Sequence, residues 1–267
     1  MRYVDKERVI VSSIVKKSSA RRVELNAAEA SVTGTETHLR GGAETLPMST
    51  QSRSHEEEAL ADVVVVDYGL GNLRSVSRGL ERAGASVSID SDPEAFAEAD
   101  GVVLPGVGAF GEGMENAESV RDALVDVAES DTPLFGICLG MQMLLTESEE
   151  AEREGQGDVK GLDLIPGRNV RFEAGQTVPH MGWNDLSVQR EHPLVEGVDG
   201  RYAYFVHSYY AVPDDEDAVV ATTDYGDPFP AIVANDDGTV FGTQFHPEKS
   251  GETGLTILRN FVDLCAE

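Results

Sequence analysis

From Asp62 onward, apolar and polar residues alternate in a regular way. The first 60 residues carry no sustained spacing of period 2 or 3.6. Val63, Val64, Val65 and Val66 form an unbroken apolar run, which predicts a strand buried on both faces, and an amphipathic helix is expected to follow as far as Ala83. Runs at 86–89, 101–104 and 134–137 repeat the strand signal. Helices are expected over 114–129 and from Cys138 to about 148. Strand and helix alternating through short links predict an α/β fold with a doubly wound, mostly parallel sheet. Residues 149–160 are acidic and contain Gly, so they read as an exposed loop. Short β-like runs at 168–172, 184–188, 202–206, 219–223, 231–234 and 240–245 predict antiparallel strands and hairpins extending the sheet, and 253–265 predicts a closing amphipathic helix. One domain is expected over 61–267, with little packed structure in 1–60.

Charge sharpens this division. Of 267 residues, 48 are Asp or Glu and 21 are Lys or Arg, for a formal charge of −27. Residues 1–47 escape the acidic bias, with eight basic and six acidic residues, whereas 48–267 hold only Lys160 and Lys249 as lysines. The expectation is that translation starts at Met48 and that 1–47 is an upstream extension. Acids spread through the whole of 48–267 repel nucleic acid and anionic membranes and suit a salt-rich cytoplasm, where screening is strong. Two cysteines are too few for a disulfide framework, and no signal peptide or membrane span is evident, so a cytoplasmic protein is expected. No cluster has metal-ligand spacing, and Gly69-Leu70-Gly71 lacks the third glycine of a dinucleotide loop; neither metal nor cofactor is expected.

Cys138 stands where an apolar run meets a helix-forming segment, between Gly136 and Gly140. Small neighbours permit the tight turn that lifts a nucleophile off a strand, and a helix N-terminus favours a thiolate. A buried core cysteine is the alternative, since free Cys also packs as a small hydrophobe. The end of the last strand decides between them. In an extended segment His246 and Glu248 project to one side, so Glu248 can hold Nδ1 of His246 and leave Nε2 for the cysteine proton. In a doubly wound sheet both segments fall on the carboxyl rim, as does the glycine-rich loop 105–113.

Gly136-Ile137-Cys138-Leu139-Gly140-Met141-Gln142 and Gln244-Phe245-His246-Pro247-Glu248 resemble the motifs of class I, triad-type glutamine amidotransferases. Asp67–Asn72, Pro105–Met114, Pro179–Asn184, Tyr204–Tyr209 and Lys249-Ser250 resemble, more narrowly, the glutaminase subunits of imidazole glycerol phosphate synthases. The resemblance spans about Asp62 to Cys265. It implies glutamine hydrolysis by Cys138, His246 and Glu248, with ammonia passed to a (β/α)8-barrel cyclase subunit in histidine biosynthesis. By the same resemblance Leu139 and the strand Gly106-Val107-Gly108 supply the oxyanion hole, and that glycine loop reorients when the cyclase binds its ribonucleotide. Gln142 matches a glutamine-contacting position; His180, Trp183 and Tyr204 match positions near the subunit interface. Lys249, one of two lysines after residue 47, is read as an ion pair with the cyclase. The rival readings are the glutaminase part of another synthase, such as an anthranilate, GMP or pyridoxal phosphate synthase, and a glutaminase-like scaffold without catalysis.

Overall fold

The structure, a computed structural model, describes residues 60–153, 155, 157–173 and 175–266. The expectations for Met48, for 1–47 and for the extension up to residue 59 therefore lie outside the described residues.

An eight-stranded sheet runs through the molecule in the order β2-β1-β3-β4-β13-β12-β11-β8. Its parallel half contains β1 (Asp62–Val66), β2 (Ser86–Asp90), β3 (Gly101–Gly106), β4 (Leu134–Cys138) and β13 (Val240–Thr243). β12 (Asp227–Ala234), β11 (Val219–Tyr225) and β8 (Ser187–Val188) continue it antiparallel. The valine run of β1 explains its central place. Val63 and Val65 enter the core beneath α1 (Leu73–Ala83) and α7 (Gly251–Cys265), while Val64 and Val66 enter the opposite core. That second core contains residues of α2 (Pro93–Glu98), α3 (Phe110–Asn116) and α4 (Arg121–Ala128). Positions covered on both faces must be apolar, and Val63–Val66 are, while Asp62 at the strand's start is exposed.

Two smaller sheets flank the large one. β5 (Leu145–Ser148), β6 (Ile165–Arg171) and β10 (Tyr209–Pro213) form one; β7 (His180–Asp185) and β9 (Tyr202–His207) form an antiparallel pair. The doubly wound sheet with antiparallel extensions agrees with expectation, but several boundaries need correction. The helix after Cys138, α5 (Leu139–Met143), does not reach residue 148: Leu145 is fully buried and pairs with Ile165, so tertiary pairing overrides the helical propensity of the segment. The helix expected at 114–129 starts at Phe110 and is interrupted by a 3-10 turn at Ala117–Val120. The acidic segment expected to be a loop opens as helix α6 (Glu149–Arg153). β7 starts at His180 rather than 184, where it pairs with His207 of β9; its inward positions, His180, Gly182 and Asn184, lack the large apolar side chains that would mark the alternation in the sequence.

Candidate active site

β3 and β4 lie side by side with Gly106 paired to Cys138, so the glycine loop and the cysteine emerge together at the carboxyl edge. Cys138 has φ 56° and ψ −105°, a strained conformation for a residue with a Cβ. The turn is held by close packing underneath. A Cβ on Gly140 would run into the Leu104 carbonyl oxygen, so only glycine lets α5 sit this near β3. Because α5 has only five residues, its dipole is weak. Local partners of the sulfur matter more than helix length.

Those partners come from the segment after β13. His246 is buried, and its Nδ1 lies 3.0 Å from Oε1 of Glu248, whose side chain is also buried. Nδ1 is thereby occupied, and the hydrogen bond of His246 to Cys138 falls to Nε2. Burial disfavours the imidazolium, but the bonds and charges of Cys138 and Glu248 outweigh it and push His246 up to about 9. The backbone fixes the imidazole: His246 N–H donates to the Tyr204 carbonyl at 3.1 Å, and Ser250 Oγ donates to the His246 carbonyl at 2.7 Å. Gln244 Nε2 also reaches the sulfur, at 3.8 Å.

A cavity of about 380 Å³ opens over this cluster, bordered by Val107, Gly108, Cys138, Leu139, Gln142 and His246 among others. Thus the three residues expected to form a triad meet, and Leu139, Val107 and Gly108 reach the same space. Gly106 instead lies buried beneath the rim, near the hydroxyl of Tyr68, which donates to the Pro105 carbonyl at 2.7 Å. Burial, reinforced by Cys138, pushes the Tyr68 phenol above its ordinary range. Gly108 adopts φ 113°, where glycine is unstrained. Gln142 donates from Nε2 to the Tyr209 carbonyl at 3.0 Å and to Gln244 Oε1 at 3.2 Å. Both its N–H groups are spent, so a ligand meets Gln142 through Oε1 as acceptor.

Three residues at the site escaped the sequence reading as functional positions. Gln244 and Tyr68 stand inside the motifs 244–248 and 67–72 without a chemical signal of their own, and Glu150 is one acid in the acidic run from Glu149. Glu150 borders the cavity, and its Oε2 accepts from Phe110 N–H at 2.8 Å. Lys249 is exposed at the mouth. Beyond it stands the outer face of the β7–β9 pair, where Trp183 is 53% exposed, Met181 62% and Tyr202 58%. Trp183 and Tyr204 pack edge to face at 5.8 Å. His180, expected near the same surface, is instead buried on the inner face.

Residues 64–265 match the family model described as glutamine amidotransferase class-I. The chain belongs to that family. It is 75% identical over 207 residues to imidazole glycerol phosphate synthase subunit HisH of Natronomonas pharaonis, covering 78% of this chain and 96% of the relative. It is similar also to HisH of Halobacterium salinarum, at 74% with coverage of 78% and 95%, and of Methanosarcina acetivorans, at 50% with 76% and 98%. In fold it resembles PurLQS from Thermotoga maritima, with TM-score 0.62, 22% identity and coverage of 76% and 98%. A solved glutamine amidotransferase gives TM-score 0.60 at 22% identity, covering 77% and 99%. Among the described residues no helix is long and apolar enough to cross a membrane, and no group of three or more His, Cys, Asp or Glu could hold a metal ion.

Proposed function

We propose that the chain is the glutaminase of an imidazole glycerol phosphate synthase, hydrolysing glutamine through Cys138, His246 and Glu248 and delivering ammonia to a (β/α)8-barrel cyclase subunit in the cytoplasm. The observation that carries this reading is the convergence of a strained Cys138 with the buried His246–Glu248 pair under one cavity, in a chain so close to HisH relatives.

The geometry supports a two-step acyl transfer. The Cys138 sulfur attacks the side-chain amide carbon, and His246 Nε2–H gives its proton to the nitrogen as the C–N bond breaks, so ammonia leaves and a γ-glutamyl thioester remains. Glu248, bonded to Nδ1, holds the ring in register and favours its charged form. Water then attacks the thioester with His246 as base, and glutamate departs. Negative charge grows on the acyl oxygen in both steps, first of the amide and then of the thioester. The N–H of Leu139, next to the nucleophile, supplies one donor, and the peptide between Val107 and Gly108 supplies the second when its N–H faces the cavity. Gly108 lets that peptide turn without a Cβ in the way, which suits control by a bound partner. Glu150 offers its carboxylate to the α-ammonium of glutamine, and Gln142 Oε1 accepts a further N–H. No cofactor takes part.

The apolar outer face around Trp183, Met181 and Tyr204, with Lys249 beside it, is the docking surface for the cyclase. On a strongly acidic chain, an apolar patch with a lysine beside the active site gives the partner a distinct place to bind. The acidic surface itself suits molar salt, where screening is strong. The test is glutamate release in molar potassium chloride, with and without the barrel cyclase and its ribonucleotide ligand. Strong stimulation by that pair supports the reading. Stimulation by a different synthase, or no turnover with any partner, overturns it.

A further inference from the structure

Behind the docking face, the inner side of the β7–β9 pair holds two buried histidines in a chain of close polar contacts. His180 and His207 are cross-strand partners, and Nδ1 of His180 lies 3.0 Å from Nε2 of His207. At one end, His180 Nε2 is 3.2 Å from Asn184 Oδ1, and Asn184 Nδ2 donates to the Asp224 carbonyl at 2.5 Å. At the other end, His207 Nδ1 is 2.8 Å from the Tyr209 carbonyl, the same oxygen that receives Gln142. Gln142 in turn reaches Gln244, and Gln244 reaches Cys138.

Carbonyl oxygens accept only, so both ends of the chain are fixed. The Asp224 carbonyl requires the amide nitrogen of Asn184 to face it, which turns Oδ1 toward His180. The Tyr209 carbonyl requires the proton of His207 to sit on Nδ1. Three contacts on two rings then need three protons, whereas two neutral imidazoles carry two. Burial lowers both histidines from the ordinary value, His207 to about 3 against the bond to Tyr209. The rings of Phe172, Phe205, Phe229 and Tyr225 surround the pair, and His246 adds positive charge toward His207. The pair is therefore neutral near neutral pH, and the single proton of His180 serves either the pocket side, on Nδ1, or Asn184, on Nε2. The Nε2 choice sets two buried ring lone pairs against each other at 3.0 Å; the Nδ1 choice sets the Nε2 lone pair against Asn184 Oδ1 at the longer 3.2 Å, where Asn184 is only half-buried, so Nδ1 is favoured.

We propose that His180 and His207 are positioning residues for glutamine: the chain they head fixes the Tyr209 carbonyl, and through it the amides of Gln142 and Gln244 beside the Cys138 sulfur. One buried carbonyl receives both His207 and Gln142, so the backbone turn that walls the cavity is held from the docking-face side. This inference rests on the reading of the cavity as the glutamine site.

Two substitutions at one position separate positioning from packing. Asn in place of His180 sets an amide N–H where Nδ1 stood and keeps the bond to His207; Gln sets its amide where Nε2 stood and keeps only Asn184. In the full chain carrying Cys138→Ala, L-glutamine binding is followed by calorimetry in molar potassium chloride. The KM and kcat of the otherwise intact enzyme are measured with the cyclase. His180→Gln is expected to weaken glutamine roughly tenfold, the scale of one lost buried hydrogen bond, and to raise KM more than it lowers kcat. His180→Asn stays within about threefold of the parent, since one equivalent bond is kept. Side-chain ¹⁵N spectra of the unsubstituted chain should show His207 protonated on Nδ1. Equal glutamine affinity in the two variants, an affinity loss in His180→Asn as large as that expected for Gln, or a proton on His207 Nε2 overturns the proposal. If His180→Gln does not fold, the Asn variant and the spectra decide alone. Failure of the Cys138→Ala parent to bind glutamine refutes the glutamine-site reading itself, and this inference with it.

Discussion

Replacing Cys138 by Gly and by Ala separates the chemistry of the nucleophile from the strain of its turn. Both variants remove the sulfur, but only Ala keeps a Cβ at φ 56°, ψ −105°. A non-glycine residue held in so sparsely populated a region costs about 1–3 kcal/mol, which Gly relieves. Against this, Gly loses more conformational freedom on folding, roughly 0.5–1 kcal/mol relative to Ala. Taking about 2 kcal/mol for the strain leaves Cys138→Gly about 1 kcal/mol more stable than Cys138→Ala. In a domain this size that corresponds to a midpoint about 2–4 °C higher. The assay is reversible denaturation of both variants in the same molar potassium chloride, with glutaminase activity absent in each. If Gly proves less stable than Ala by the ordinary 0.5–1 kcal/mol, the turn stores no strain and the argument for a constrained nucleophile fails.

Further expectations concern the surroundings of Cys138. Gly140→Ala forces α5 away from the Leu104 carbonyl and should cost about 3 kcal/mol, the upper end for overpacking, measured by urea or thermal denaturation; a change below 0.5 kcal/mol would contradict the packing. His246 binds its proton more tightly when folded, at about 9 against an ordinary 6.5. Its stabilising contribution is therefore complete below about pH 6.5 and disappears as pH rises through about 9, and kcat should fall along that same alkaline limb. Glu248→Gln removes one of the interactions raising His246, so the limb should move to lower pH and kcat should drop by roughly 10²-fold or more; an unmoved limb contradicts the pairing. Glu150→Gln should raise KM for glutamine roughly tenfold with a smaller effect on kcat, as expected for a lost charge-assisted bond to the ammonium.

The parts of the fold legible in the sequence were those whose pattern a single environment dictates. Val63–Val66 and the runs of β3 and β4 are apolar at every position because both faces are covered. Where tertiary pairing decides, the sequence misled. The segment after Met143 is rich in helix formers, yet Leu145–Ser148 is drawn into a strand by the return of residues 161–165. The start of β7 is hidden in the sequence, since the inward His180 and Asn184 disguise its alternation. The meeting of Cys138, His246 and Glu248 was legible because the order of two short motifs already implies strand ends on one rim. Gln244 was hidden by distance in sequence: its bonds to Gln142 and Cys138 span 102 and 106 residues and exist only once β4 and β13 pair. Glu150 was hidden differently, as one acid in an acidic run, and only α6 turns it toward the cavity.

The central claim is that Cys138 carries the acyl group, and the covalent intermediate tests it most directly. The chain, assembled with the cyclase and its ribonucleotide, is quenched in acid during turnover of glutamine, digested and examined by mass spectrometry. A γ-glutamyl adduct on the peptide containing Cys138, absent in Cys138→Ala together with glutamate release, is the expected result. An adduct on another residue, or glutamate release undiminished in Cys138→Ala, would contradict the account.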